Sequence, residues 1–193
     1  MIRFLKEIKN YVNKFRDLTC VGVANISAMA ISSLFWLYMA SLLGEQGYGE
    51  ISYLLATANI VSNLALIGSI DTLIVFRAKD VKIQSGIFLI VIIIAIIASM
   101  TTYFFIESTE VSIFIFGMVI FSLVINETLG SKNYKKYSYF IVTQRILTVF
   151  LALLLYFIIG IDGIILGYAL AFLPYAIFTY TSFKNVPINF HLI

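Results

Sequence analysis

The stretch that decides the fold is Leu37–Leu55, LYMASLLGEQGYGEISYLL, in which three glycines and two glutamates fall within Gly44–Glu50 between flanks nearly free of charge. A glycine cluster of this kind either cradles a phosphate or turns one helix into the next. The order Gly44-x-x-Gly47-x-Gly49 lacks the Lys-Ser/Thr that follows in a phosphate loop, and it has neither the order nor the strand-to-helix setting of a dinucleotide fingerprint. The glutamates at 45 and 50 would repel phosphate. Gly44 reads instead as a C-cap, and Gly47 as the residue supplying the positive φ of a tight turn. The segment is a hairpin between two apolar helices.

Working outward, the chain is apolar almost throughout: of 193 residues, 61% are hydrophobic and 12% charged, against ~45–50% and ~25% in a soluble domain. Runs without Asp, Glu, Lys or Arg extend over Leu18–Gly44, Ile51–Ile70, Ile83–Ile106 and Gly163–Phe183. Each reaches the ~20 residues that a helix needs to cross ~30 Å of hydrocarbon. Two more spans appear when one ionisable residue is tolerated in each, Val111–Ser131 with Glu127 and Tyr137–Ile161 with Arg145. The runs are continuous and do not alternate, which excludes β-barrel strands. A soluble core of six helices apolar all round would lack the polar surface to cover it.

The expected fold is therefore an all-α integral membrane protein. An amphipathic interfacial helix over 1–17, with Ile2, Leu5, Ile8, Val12 and Phe15 at helical spacing among basic residues, leads into six transmembrane helices at about 18–44, 48–70, 83–106, 111–131, 137–161 and 163–183. A tail over 184–193 follows and reads as cytoplasmic and truncated. Ala28-Met29-Ala30 has the form of a signal-peptidase site, but the uncharged run continues to Gly44, so the first span is read as retained.

Charge sets the orientation. With the N-terminus in the cytoplasm, Arg3, Lys6, Lys9, Lys14, Arg16, Arg77, Lys79, Lys82, Lys132, Lys135, Lys136 and Lys184 are all inside, and Arg145 lies in the cytoplasmic half of its span. The opposite loops carry Glu45, Glu50, Glu107, Glu110 and Asp162 and no Lys or Arg. This is the positive-inside pattern with both termini cytoplasmic. The net charge of +3 thus reports topology and contact with anionic membrane lipids, not nucleic acid. A single cysteine, Cys20, permits no internal disulfide, and a single histidine, His191, leaves no metal cluster. No catalytic, metal or cofactor site is expected, because acid–base and metal chemistry need several ionisable groups converging.

Ionisable groups inside spans are costly and point to function. Arg145 reads either as a cation facing a water-filled cavity, able to hold a phosphate or acidic sugar, or as a snorkelling or ion-paired structural residue with Glu127 as partner. Asp71 and Glu127 lie near cytoplasmic ends, each read as an ion-pair or coupling residue or as a solvated carboxylate. Ser52, Asn59 and Asn63 share one face of the second span, and Asn25 and Ser32 are seven apart in the first. Amides in hydrocarbon want a partner helix or water, so Asn25, Asn59, Asn63 and Gln144 join Arg145 as substrate-cavity candidates. Small residues four apart, Ala24, Ala28 and Ser32 in the first span and Gly163, Gly167 and Ala171 in the sixth, predict close helix packing. Pro174 predicts a kink.

Two segments carry a family resemblance. The first, LYMASLLGEQGYGEISYLLATANIVSNLALIGSIDTLIVFRAKD, resembles the opening of prokaryotic polysaccharide-biosynthesis flippases, the O-antigen branch of the multidrug/oligosaccharidyl-lipid/polysaccharide exporter superfamily. Ala40, Leu43, Gly44, Tyr48 and Gly49 fall on the family's turn pattern and Gly68 on a later glycine, while Ser41 stands where members have Arg. The second, NYKKYSYFIVTQRILTVFLALLLYFIIGIDGIILGYALA, is similar to the family's fifth span, with Gln144 and Arg145 on its Gln-Arg pair, and the glycine turn into the sixth. The resemblance implies an N-terminal six-helix lobe of a cell-membrane transporter that moves a lipid-linked oligosaccharide on a polyprenyl-phosphate carrier. It implies no ATP site, and a missing C-terminal lobe or a second copy to complete the cavity. A multidrug-antiporter lobe is the near alternative, although spans one and three lack the carboxylates it would use. A non-transporting membrane scaffold of glycan assembly is the other.

Overall fold

In the computed structural model, which describes residues 2–81 and 83–185, with side chains for 15–81 and 83–180, every regular element is an α-helix. The order is α1 (Ile2–Ala65), α2 (Ser69–Ala78), α3 (Gln84–Ile106), α4 (Thr109–Gly130), α5 (Tyr134–Ile159) and α6 (Ile161–Asn185). The side chains that make 1–17 amphipathic, up to residue 14, and the tail beyond 185 lie outside the described residues.

α1 is a hairpin. Gly44 interrupts it with φ 68° and ψ −176°, a conformation that a Cβ makes prohibitive and that glycine alone adopts readily. In a straight helix Trp36 and Tyr48 would stand about 18 Å apart; their rings are 5.7 Å apart and perpendicular. The chain therefore folds back on one residue, giving two arms, 2–43 and 45–65. This corrects the expected role of Gly47: it has no positive φ and is buried within the second arm, where an added methyl would meet Leu43 and Ile161 at ordinary contact distance. Gly160, with φ 88° and ψ −145°, turns α5 into α6 in the same way.

The expected span 48–70 also needs correction. Helix ends at Ala65, Gly68 takes φ 70°, and α2 restarts at Ser69. Gly68 permits the left-handed conformation that breaks the run, so hydropathy alone overran it by about one turn. Elsewhere helix ends are capped locally. The Ser108 hydroxyl accepts from Val111 N–H at the start of α4, and the Asn133 side chain accepts from Lys136 N–H at the start of α5. α6 runs through Pro174 as a single element.

α4 is the hub, touching α1, α2, α3, α5 and α6. Its contact with α6 is close because Gly117 leaves room for Phe172, and Gly130 leaves room for Ile74 and Arg77 of α2. α5 and α6 approach backbone to backbone where Gly167 meets Leu151 and Ala152, as the four-residue small stripe predicts. One core cluster joins both α1 arms to α4, α5 and α6 around Met39, Ile51, Ile115 and Ile164; a second joins α2, α3 and α4 around Leu73, Phe88 and Leu123. Outward faces are equally apolar, with Leu34, Ile97, Phe104, Phe105 and Phe157 exposed.

Five described helices are long and apolar enough to cross a membrane, and the first of them holds both arms of α1. The chain is an all-α, multi-pass membrane protein. Many hydroxyls are satisfied within their own helices, as hydrocarbon favours: Ser32 donates to Ala28 O at 2.9 Å and Thr128 to Val124 O at 2.7 Å. Bonds between helices include Tyr175 Oη to Phe140 O at 3.1 Å and Ser138 Oγ to Cys20 O at 3.2 Å.

The helical hairpins place the charges at two ends. Glu45, Glu50, Glu107, Glu110 and Asp162 gather at the end with the Gly44 and Gly160 turns, and Arg16, Arg77, Lys132, Lys135 and Lys136 at the other. Arg145 belongs to neither end.

Candidate functional site: a polar cavity between α1 and the α4–α6 core

A half-open cavity of about 940 Å³ runs between both arms of α1 and helices α4, α5 and α6. Four of the residues singled out from sequence line it: Asn25 on the first arm, Asn59 on the second, and Gln144 and Arg145 on α5. Ser32 and Ser52 join them from the same stripes, along with Ser122 of α4.

Arg145 is the centre of the site. It sits eleven residues into α5, about 16 Å from the basic end, which is too deep for a residue that merely anchors a helix terminus. It is half-buried, and its Nε is buried with no hydrogen-bond partner. A guanidinium at that depth is expensive to hold unless water or an anion faces it. The cavity provides the room. Beside it Gln144 is buried, 3% exposed, and donates from Nε2 to Thr148 Oγ1 at 2.8 Å. Asn59 donates to Leu55 O at 2.7 Å, which fixes its amide on the cavity wall.

The remaining predicted residues stand elsewhere. Asn63 is exposed and donates to Asn59 O at 2.8 Å. It shares the angular face of Asn59, but one turn, about 6 Å, further toward the basic end, past the last cavity-lining residue of that arm. Glu127 lies in the last turn of α4, half-buried. Helical rise separates it from Arg145 by about 12 Å along the bundle, and it does not line the cavity. Asp71 is exposed in the first turn of α2, where a negative charge complements the helix dipole.

The acidic-end half of the cavity is aromatic. Trp36 packs edge-on to Tyr48 and tilts against Tyr168 at 6.2 Å; Tyr168 in turn meets Phe114 at 6.0 Å. These rings are hard to single out from sequence because interior and lipid-facing aromatics look alike in a membrane chain. The spacing that found Asn25 and Ser32 reaches Trp36 four residues on, and Tyr48, Ser52 and Asn59 form the matching stripe, so the signal was present.

Chemically the cavity offers one cation, carboxamides and hydroxyls at its middle depth, aromatic faces toward the acidic end, and aliphatic walls from Leu55, Met118 and Ile125. That combination suits an amphiphilic anion: charge-assisted hydrogen bonds from Arg145 to a phosphate or carboxylate, and apolar contact around them. Among the described residues, no three His, Cys, Asp or Glu side chains converge on a metal position. Comparison with family models, curated proteins and solved structures returns no match.

Proposed function

We propose that the chain is one six-helix lobe of a membrane transporter, and that its cavity receives the phosphate and first sugars of a lipid-linked oligosaccharide during translocation across the cell membrane. The observation that carries this reading is Arg145, unpartnered at Nε, placed about 16 Å along α5 from the basic end and lining a cavity whose other polar groups are uncharged. A lone cation among neutral donors favours a monoanionic or dianionic guest, and aromatic rings above it supply faces for sugar C–H groups. The segregation of basic and acidic residues to opposite ends supports a cytoplasmic basic end, so the guest enters from the side where such lipids are assembled. The cavity is open on one side, and a facing lobe or second copy of the chain supplies the remaining wall. Like other transporters of this resemblance, the lobe acts without chemistry of its own.

The test is genetic and biochemical together. Cells lacking the gene should accumulate the lipid-linked glycan on the cytoplasmic face, and Arg145→Ala should reproduce that accumulation with an unchanged amount of folded protein. No accumulation in the deletion strain would overturn the transport reading. Equal loss of folded protein in Arg145→Ala would assign the residue to structure instead.

A further inference from the structure

A second recess lies on the other side of the same two elements that hold Asn25 and Arg145. It is a groove of about 800 Å³ in which Val23, Ala24 and Ser27 of the first arm face Val142, Thr143 and Ile146 of α5. Arg16 lines its basic end, where the Cys20 thiol and the Ser138 hydroxyl meet at 3.4 Å and tie arm to helix.

Lining residues alternate between the two recesses. Asn25 and Ala28 face the cavity while Ala24 and Ser27 face the groove; Ile141, Gln144 and Arg145 face the cavity while Val142, Thr143 and Ile146 face the groove. One pair of helices thus separates a lipid-facing groove from the Arg145 guanidinium, whose buried Nε has no hydrogen-bond partner. On the α1 side that seam consists of small residues, with Ala24 and Ala28 each 5% exposed.

The dimensions and charge of the groove select an occupant. Arg16 to Ser27 spans eleven residues, about 16 Å of helix, which is half of the ~30 Å hydrocarbon thickness and therefore one leaflet. A comparable groove of about 510 Å³ between α3 and α4, lined by Ile96, Met100, Tyr103 and Phe116 among others, has no charged lining residue. Both grooves fit acyl or isoprenoid chains; only the first places a cation at the level of a headgroup.

We propose that the α1–α5 groove is a docking position for a phosphate-bearing lipid, with one chain along Val23, Val142 and Ile146 and the phosphate on Arg16, held against the seam that leads to Arg145. The onward step through the seam rests on the transporter reading above. The docking itself does not.

The experiment uses the full chain in phosphatidylcholine vesicles doped with a trace of acyl-chain diazirine phosphatidic acid or, separately, diazirine phosphatidylcholine, with adducts mapped by peptide mass spectrometry. One charge-assisted contact predicts about tenfold more groove labelling by the phosphatidic acid probe, and equal labelling of the α3–α4 groove by the two probes. Arg16→Gln should bring groove labelling down to the phosphatidylcholine level, whereas Arg145→Gln should leave it unchanged. Ser27→Phe should fill the groove and abolish its labelling while the α3–α4 groove, still labelled, reports a folded protein. Equal labelling of the α1–α5 groove by both probes, or labelling indifferent to Arg16→Gln, overturns the proposal. Because transport is not read, failure of the transporter reading leaves these outcomes decisive.

Discussion

Gly167→Ala tests the crossing of α5 and α6 on which the cavity wall depends. A methyl at this position would meet Ala152 Cα and N each at 2.5 Å and the Leu151 carbonyl carbon at 2.7 Å. Carbon contacts are comfortable at ~3.5–4.0 Å, so the helices must part by about 1 Å. The obstructing atoms are backbone and cannot swing aside, and α6 cannot retreat, because Ala169 and Ala171 are fully buried. Overpacking of this kind costs up to ~3 kcal/mol, and the better helix propensity of alanine returns ~1 kcal/mol, leaving a net loss of about 2 kcal/mol. Gly22→Ala is the matched control: its methyl meets nothing within 4 Å, so it should gain ~0.5–1 kcal/mol from propensity alone. Reversible unfolding of both variants in mixed micelles, followed by circular dichroism, should therefore separate them by about 3 kcal/mol, the sum of those two terms. Adding Ala152→Gly to Gly167→Ala should not restore stability, because the clash is with main chain. A Gly167→Ala variant as stable as Gly22→Ala, or one rescued by removing the Ala152 methyl, would refute a main-chain clash at this crossing.

Three further outcomes follow from local geometry and can be read in the same unfolding assay. Gly44→Ala, at φ 68° and ψ −176°, should lose about 1–3 kcal/mol, while Gly49→Ala, whose added methyl meets nothing within 4 Å, should gain ~0.5–1 kcal/mol as Gly22→Ala does. Tyr175→Phe keeps the ring contacts to Phe121 and Phe140 at 4.8 and 5.2 Å but removes the 3.1 Å bond to Phe140 O, predicting a loss of about 0.6–1 kcal/mol; a loss several-fold larger would mean that the hydroxyl orders more than one carbonyl. Ser62 is fully buried with an unpartnered Oγ, so Ser62→Ala should be neutral or stabilising by up to ~1 kcal/mol; a destabilised variant would contradict the lack of a partner.

The all-helical, multi-pass build was legible because lipid makes a simple demand: about 20 apolar residues with internally bonded backbone. Turns were legible to the extent that glycine marks them. Gly44 is recognisable from sequence as a helix terminus, but a glycine-rich heptapeptide suggests a loop of several residues. The observed turn uses Gly44 alone, and Gly47 serves helix contact. Gly68 shows the converse. Hydropathy continues smoothly through Ile67–Ile70, so nothing apolar marks the break, and only the backbone freedom of Gly68 and the packing of Leu73 against α3 and α4 decide where the helix stops.

The site was legible through its polar members and illegible through its apolar ones, and the reason is the solvent. In water, burial separates inside from outside, so a buried ring stands out from its exposed neighbours. In a bilayer both surroundings are apolar: Phe104 and Phe157 face outward and Phe114 and Phe172 face the cavity, with the same residue type doing both. Only groups that hydrocarbon penalises distinguish the two, which is why Asn25, Asn59, Gln144 and Arg145 point to the cavity from sequence while Trp36, Tyr48 and Tyr168 do not. The same logic bounds what polarity can say. Asn63 carries the same penalty as Asn59 yet escapes it by one turn, near the helix end at Ala65, and Glu127 escapes it near the end of α4. Depth along the helix, added to angular position around it, is what separates a cavity residue from an end residue. Arg145 satisfies both conditions, and it is the one described Lys or Arg that lies away from the basic end.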